Sequence, residues 1–218
     1  MELVTGGAGF IGSHLVDSLV SKGLKVRVLD NFSSGRKEFL EHHSETNNVE
    51  IIIADLLDLD AVKSAMNGIE TVHHLAANPD IRLGTEITDT DLQQGTIATY
   101  NVLEAMRHNG VKRISFASSS AIYGEASVMP TPETYGPVLP ISLYGASKLA
   151  SEALISSWCG TFGGEAWINR FANIVGPRGT HGVIFDFIHK LKKDPNRLEV
   201  LGNGLQEKSY MSAEDCVR

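Results

Sequence analysis

Thr5-Gly6-Gly7-Ala8-Gly9-Phe10-Ile11-Gly12 is the stretch that decides the fold. Leu3 and Val4 precede it as a short strand. Phe10 to Val20 follows it, with Ile11, Leu15, Val16 and Leu19 along one helical face. A strand therefore feeds a glycine-rich turn, and the turn opens a helix. Glycines at such a turn let the backbone approach a pyrophosphate, and the amides of the helix N-terminus carry its negative charge. The spacing is Gly-x-x-Gly-x-x-Gly rather than the Gly-x-Gly-x-x-Gly of the dehydrogenase fingerprint. The second strand, Lys25 to Leu29, runs into Asp30, which stands where a ribose-binding acid belongs. A carboxylate there accepts the 2′ and 3′ hydroxyls and repels a 2′-phosphate, which favours NAD over NADP.

The same alternation continues outward. Glu50 to Ile53, Thr71 to Leu75, Arg113 to Ala117 and Ala166 to Phe171 read as strands. Asp89 to Arg107 reads as a long helix stopped by Asn109-Gly110, and Leu143 to Trp158 as another. Strands separated by helices imply parallel pairing, hence a doubly wound parallel α/β (Rossmann) sheet. After Asn173 the pattern loosens into a Gly176-Pro177-Arg178-Gly179 loop, a helix from Val183 to Leu191 and a short strand from Leu198 to Leu201. The expected division is a dinucleotide-binding domain over residues 1–172 and the beginning of a smaller C-terminal substrate domain over 173–218, incomplete as it stands.

Composition narrows the class. Of 218 residues, 42% are hydrophobic, too many for global disorder. Acidic residues outnumber basic ones by 26 to 19, the wrong sign for a nucleic-acid binder. No apolar run reaches the length of a membrane span. Two cysteines, Cys159 and Cys216, make no disulfide framework and fit a reducing cytoplasm. A cytoplasmic protein without nucleic-acid or membrane partners is expected. His73 and His74 adjoin in a strand and so face opposite ways. His42-His43 lies in a polar stretch, and no metal is expected at either pair.

Tyr144-Gly-Ala-Ser-Lys148 places a phenol and an ammonium at i and i+4, on one helical face. The cation should favour the phenolate and lower the tyrosine pKa from its usual value near 10, giving a general base. Ser118-Ser119-Ser120 follows the fifth strand, where a hydroxyl can bond a substrate oxygen. Asp55 follows the third strand, either at a ligand or as a helix N-cap. Leu75-Ala76-Ala77 follows the fourth, where small residues let a cofactor lie across the strand ends.

Together with Asp30-Asn31, Tyr123-Gly124 and Arg170-Phe-Ala-Asn173-x-x-Gly-Pro177, these motifs resemble the nucleotide-sugar epimerase/dehydratase branch of the extended short-chain dehydrogenase/reductase superfamily. The resemblance runs over essentially the whole chain. It implies NAD held by Gly6, Gly9, Phe10, Ile11, Gly12, Asp30, Asn31 and the Ser33-Ser34-Gly35 loop. It places Asp55 and Leu56 beside the adenine and Ala76, Ala77, Lys148 and Phe171 at the nicotinamide half, with Leu75, Ser118 and Tyr144 also among the cofactor contacts. It makes Ser119, Tyr144 and Lys148 catalytic. Ser119, Ser120, Tyr144, Asn173 and Lys208 become substrate contacts, the last in the Gln206 to Tyr210 segment where the family usually has an arginine. The family's Asn-Val-x-Gly-Thr-x-Asn keeps Asn101 here but has Gly95 at its first Asn. Dehydratases and decarboxylases of the branch carry a glutamate at the position of Ala121, and dehydratases an aspartate at Ser120. Their absence favours inversion at C4 of a UDP-hexose, as in UDP-glucose/UDP-galactose 4-epimerisation. Other nucleotide-sugar epimerases, a 4-keto-sugar reductase and a non-catalytic dinucleotide sensor are the alternatives. The branch commonly forms homodimers through the helices at Asp89–Arg107 and Leu143–Trp158.

Overall fold

The computed structural model describes residues 1–204 and 207–218, so Gln206 lies outside the described residues. The chain divides into two compact units, Met1–Phe171 and Ala172–Arg218. The first is built on six strands: β1 (Glu2–Thr5), β2 (Val26–Asp30), β3 (Val49–Ile53), β4 (Thr71–His74), β5 (Arg113–Ser119) and β6 (Glu165–Phe171). They form one sheet in the order β3-β2-β1-β4-β5-β6, with every pair parallel. This is the doubly wound order, and its switch point lies between β1 and β4, where open sheets bind ligands at the strand carboxyl ends.

Side-chain alternation on the strands makes two cores. Val4, Val26 and Val28 pack with Val16 and Leu19 of helix α1 (Phe10–Ser21). On the other face Leu3, Leu29, Val72, Ile114 and Phe116 pack with Val62 of α2 (Leu59–Ala65), Val102 and Met106 of α3 (Ala98–Asn109), and Ile155 and Trp158 of α4 (Leu143–Phe162). Gly110, in the left-handed region at φ 71°, stops α3 as the Asn-Gly pair indicated.

Three readings of the sequence are corrected here. The helix expected over Asp89–Arg107 is not a uniform α-helix, because Leu92–Ile97 is wound as a π-helix. The widened turn places Gly95 against Ser147 of α4, where an added Cβ would lie 2.7 Å from the serine Oγ. Asp55 does not cap α2; Asp58 does, accepting from the Ala61 amide. Residues 198–201 form no strand: a short apolar run needs a ladder partner, and the second unit's two-stranded sheet is made elsewhere. It pairs β7 (Asn173–Val175) in parallel with β8 (Tyr210–Ser212). Helices α5 (Val183–Lys193) and α6 (Ala213–Val217) complete that unit, α6 being capped by Ser212.

Candidate active site

The turn after β1 is shaped by its glycines. Gly6 has φ +69°, and a Cβ on it would lie 2.8 Å from the Ala76 backbone. A Cβ on Gly12 would lie 2.1 Å from the Gly6 carbonyl oxygen, so α1 can close on the turn only with glycine there. Gly9 caps α1 without a side-chain bond, and no acidic residue stands in the first turn. The first turn of α1 thus brings no acidic side chain of its own to the amides of Phe10 and Ile11, which suits a pyrophosphate.

Asp30 sits beside this turn and is only 8% exposed. Its Oδ2 accepts from the Ala8 amide at 2.9 Å and its Oδ1 from the Phe32 amide at 2.8 Å. A carboxylate has about four acceptor positions, so two remain for ribose hydroxyls. Gly35 lies against this carboxylate, since its Cβ would meet Asp30 Oδ1 at 2.9 Å, and the Arg36 amide donates to Ala8 O. The Asn31 side chain receives the Ser33 amide and donates to Asp55 Oδ2 at 2.8 Å. Ser33 and Ser34 are exposed. Gln94, in the π-helical turn, reaches Asp55 at 3.4 Å, a neighbour that sequence reasoning did not supply.

Two expected cofactor contacts have side chains committed elsewhere. Leu56 is 6% exposed and belongs to the α2–α4 core, with its carbonyl held by Asn101 Nδ2 at 2.8 Å. Ser118 is 3% exposed and donates to Glu152. The reason is strand alternation: Ser118 and Ser119 cannot face the same way. Ser119, half-buried at the end of β5, hydrogen-bonds the Tyr144 phenol and receives the Ala121 amide at 3.2 Å. Ser120 is exposed on the 3-10 turn that follows. Phe171 pairs in register with Ser119 across the β5–β6 ladder. Leu75, Ala76 and Ala77 continue β4, and the Thr5 hydroxyl receives the Ala76 amide at 3.3 Å.

Lys148 is 4% exposed and donates to the Ala117 carbonyl at 2.7 Å. Its ammonium lies 5.7 Å from the centre of the Tyr144 ring and 4.9 Å from that of Phe116. Burial lowers its pKa to about 8, opposed by the charge of Asp91. The expectation that Lys148 lowers the Tyr144 pKa is overturned. Burial holds the phenol above its ordinary value, the Ser119 bond lowers it and Asp91 raises it. Asp91 was not foreseen: it reads as part of a polar helix start, yet it is 2% exposed. Its Oδ1 accepts from Asn78 at 3.1 Å, and its Oδ2 has no hydrogen-bond partner among the described residues.

Behind the site, Glu152 takes Arg170 Nη2 at 2.8 Å, and Arg170 Nη1 donates to the Tyr123 hydroxyl at 3.0 Å. Asn173 and Lys208 belong to the second unit, where Asn173 Nδ2 donates to Ser209 O. The cavity of about 400 Å³ lined by Glu70, Lys112 and Arg113 lies at the amino ends of the strands, away from these residues.

Comparison with known proteins agrees with this geometry. The family model for the NAD dependent epimerase/dehydratase family matches residues 2–218. A putative UDP-glucose 4-epimerase of Methanocaldococcus jannaschii is 36% identical, over 100% of this chain and 71% of its own. A crystal structure of a UDP-galactose 4-epimerase superposes with TM-score 0.88 at 47% identity, covering 99% of this chain and 68% of that one. The Thermus thermophilus UDP-glucose 4-epimerase in complex with NAD gives 0.86 at 32% identity, over 99% and 71%. UDP-glucuronic acid decarboxylases are also among the relatives. No helix among the described residues is long and apolar enough to cross a membrane. The chain belongs to the NAD-dependent epimerase/dehydratase family, and NAD is its cofactor.

Proposed function

We propose that the protein inverts C4 of a UDP-hexose, interconverting UDP-glucose and UDP-galactose. The observation that carries this reading is the Ser119–Tyr144 hydrogen bond, at the carboxyl end of β5 and within one helical turn of Lys148, with no carboxylate at positions 120 or 121. Removal of a C5 proton, as dehydration requires, needs such a base; moving a proton at the 4-hydroxyl does not.

NAD bound at the strand carboxyl ends would supply hydride-transfer chemistry at C4. The chain's own residues do the rest. Ser119 donates to the sugar O4 and fixes it beside the phenol. Tyr144 accepts the O4 proton as phenolate and gives it back to the 4-keto oxygen as phenol. Burial raises the phenol pKa and so favours the proton-donating form that the return step uses. We assign Lys148, the cation on the same face of α4, to stabilising the phenolate once substrate and cofactor fill the site, since in the free protein burial outweighs it. The Gly6–Gly12 turn and Asp30 would hold the pyrophosphate and ribose.

We also assign residues 1–172 to an NAD-binding domain and 173–218 to the beginning of a substrate domain. The contacts of Asn173 and Lys208 rest on sequence resemblance alone. Exposed Leu92, Ile97 and Tyr100, on one helical face, support the homodimer. A cytoplasmic setting rests on the two free cysteines.

The test is proton NMR of UDP-galactose with the isolated protein and no added NAD. Appearance of UDP-glucose supports both epimerisation and a retained cofactor. No conversion after NAD is added rejects this substrate pair.

A further inference from the structure

Outside the active site, one cluster brings together metal-ligating side chains from two separate elements. Asp17 lies on the third turn of α1, and His42 and His43 form the end of a 3-10 turn, Glu41–His43, in the β2–β3 connection. His42 Nε2 lies 2.8 Å and His43 Nε2 2.7 Å from the same oxygen, Asp17 Oδ1. One donor atom from each of the three residues lies within 4.8 Å of the other two. The two imidazole rings stand 4.0 Å apart, centre to centre.

We propose that Asp17, His42 and His43 bind a divalent cation of the zinc class, which clips α1 to the β2–β3 connection. Adjacent histidines on a strand diverge, but on this tight turn both rings converge on one carboxylate. His43 is 7% exposed and Asp17 half-buried, while His42 is open to solvent. The backbone of the turn is fixed: the His43 amide donates to Leu40 O at 2.9 Å, and the His43 carbonyl accepts from both the amide and the hydroxyl of Thr46. Two imidazoles with one carboxylate select a borderline transition cation over magnesium or calcium, which prefer oxygen. Tetrahedral zinc, with bonds of about 2.0–2.1 Å, sets its ligand atoms about 3.3 Å apart. The two Nε2–Oδ1 contacts, at 2.8 and 2.7 Å, would open by about 0.5 Å to reach that spacing. Water would complete the shell. The proton on each ring then resides on Nδ1, freeing the Nε2 lone pair.

The clip has a consequence for the fold. α1 begins at the phosphate turn, and the β2–β3 connection begins just beyond Asp30. A cation bound only by the folded chain stabilises it by mass action.

The experiment is a titration of the chelator-treated protein with ZnCl₂ against a chromophoric competitor, with CoCl₂ absorption as a second readout. One equivalent should bind, the melting temperature should rise, and cobalt should give the intense visible bands of a low-coordinate site. Loss of a supporting contact alone weakens metal sites by about 10–100-fold, so loss of a ligand by His42→Asn should cost at least about tenfold. His42 is exposed, so this variant remains informative even if His43→Asn or Asp17→Asn fails to fold. His73→Gln, on β4, should bind zinc as the parent does. Absence of saturable zinc binding, or binding that His42→Asn leaves unchanged, overturns the proposal.

Discussion

Lys148 on α4 reaches across to β5 and donates to the main-chain carbonyl of Ala117 at 2.7 Å. The bond fixes the ammonium behind Tyr144 and two residues before Ser119, so one lysine ties the helix bearing the phenol to the strand bearing the hydroxyl. Burial brings its pKa down to about 8, with Asp91 opposing. Below that pH the ammonium is present; above it the charge is lost. With turnover resting on that charge, kcat/KM should fall as pH rises through about 8. Lys148→Met should lose at least about 100-fold in turnover and abolish the limb. A wild-type profile flat to pH 10 would show that the charge is not needed.

Tyr144 and Ser119 are partners, and their bond lowers a phenol pKa that burial raises. Tyr144→Phe should retain NAD, because the glycine turn and Asp30 are untouched, yet lose at least about 100-fold in turnover. Isothermal titration with NAD, run beside the NMR assay, separates the two effects. Wild-type turnover in the variant would remove Tyr144 from the chemistry.

Asp30 holds the Ala8 and Phe32 amides and keeps further acceptor positions, which the proposed reading gives to the ribose hydroxyls. Asp30→Ser should weaken NAD at least about tenfold and raise the affinity for NADP relative to NAD. The ratio matters more than either affinity, since a loosened loop alone would weaken both together. An unchanged ratio would deny Asp30 a role in ribose selection.

The sheet and the glycine turn were legible in the sequence because periodicity and glycine spacing are local. Phe10 to Val20 could be read as a helix against a sheet, and Asp30 as a strand-end acid, without any tertiary information. Asp91 was illegible for the opposite reason. Its burial depends on Asn78, thirteen residues away, and on Gly84, whose missing Cβ makes room for the carboxylate. The π-helical turn at Leu92–Ile97 depends likewise on Ser147 in α4. Ser119 was singled out by its distance from Tyr123, but that its neighbour Ser118 is committed to Glu152 depends on residues far along the chain. The helix spacing that pairs Tyr144 with Lys148 gave proximity but not direction, and the lysine points to Ala117.

The Glu152–Arg170 pair is a buried carboxylate bound to a guanidinium, with Ser118 and Tyr123 attached. Breaking a buried pair strands the remaining charge and costs about 3–5 kcal/mol. Arg170 is partly exposed, so the lower end applies: Glu152→Ala should lose about 3 kcal/mol. Urea unfolding measures this, and a loss below about 1 kcal/mol would place the pair with ordinary surface bridges.

His74 is 1% exposed, its ring between the hydroxyls of Thr5 and Thr99 at 2.7 and 3.1 Å. Burial, with a smaller contribution from the Lys148 charge, lowers its pKa from 6.5 to about 3. The native ring therefore stays neutral where the unfolded one gains a proton. The sign follows: between pH 6.5 and about 3 the unfolded state binds more protons, so stability falls as pH falls. Above pH 6.5 both states are neutral and the contribution is complete. Replacement by Asn removes the titration while leaving an amide to meet the two hydroxyls. His74→Asn should therefore be less stable at about pH 7 but lose less stability than the parent between about pH 6.5 and 4. Urea midpoints across that range test this directly. Parallel curves for the two proteins would show that His74 does not drive acid unfolding.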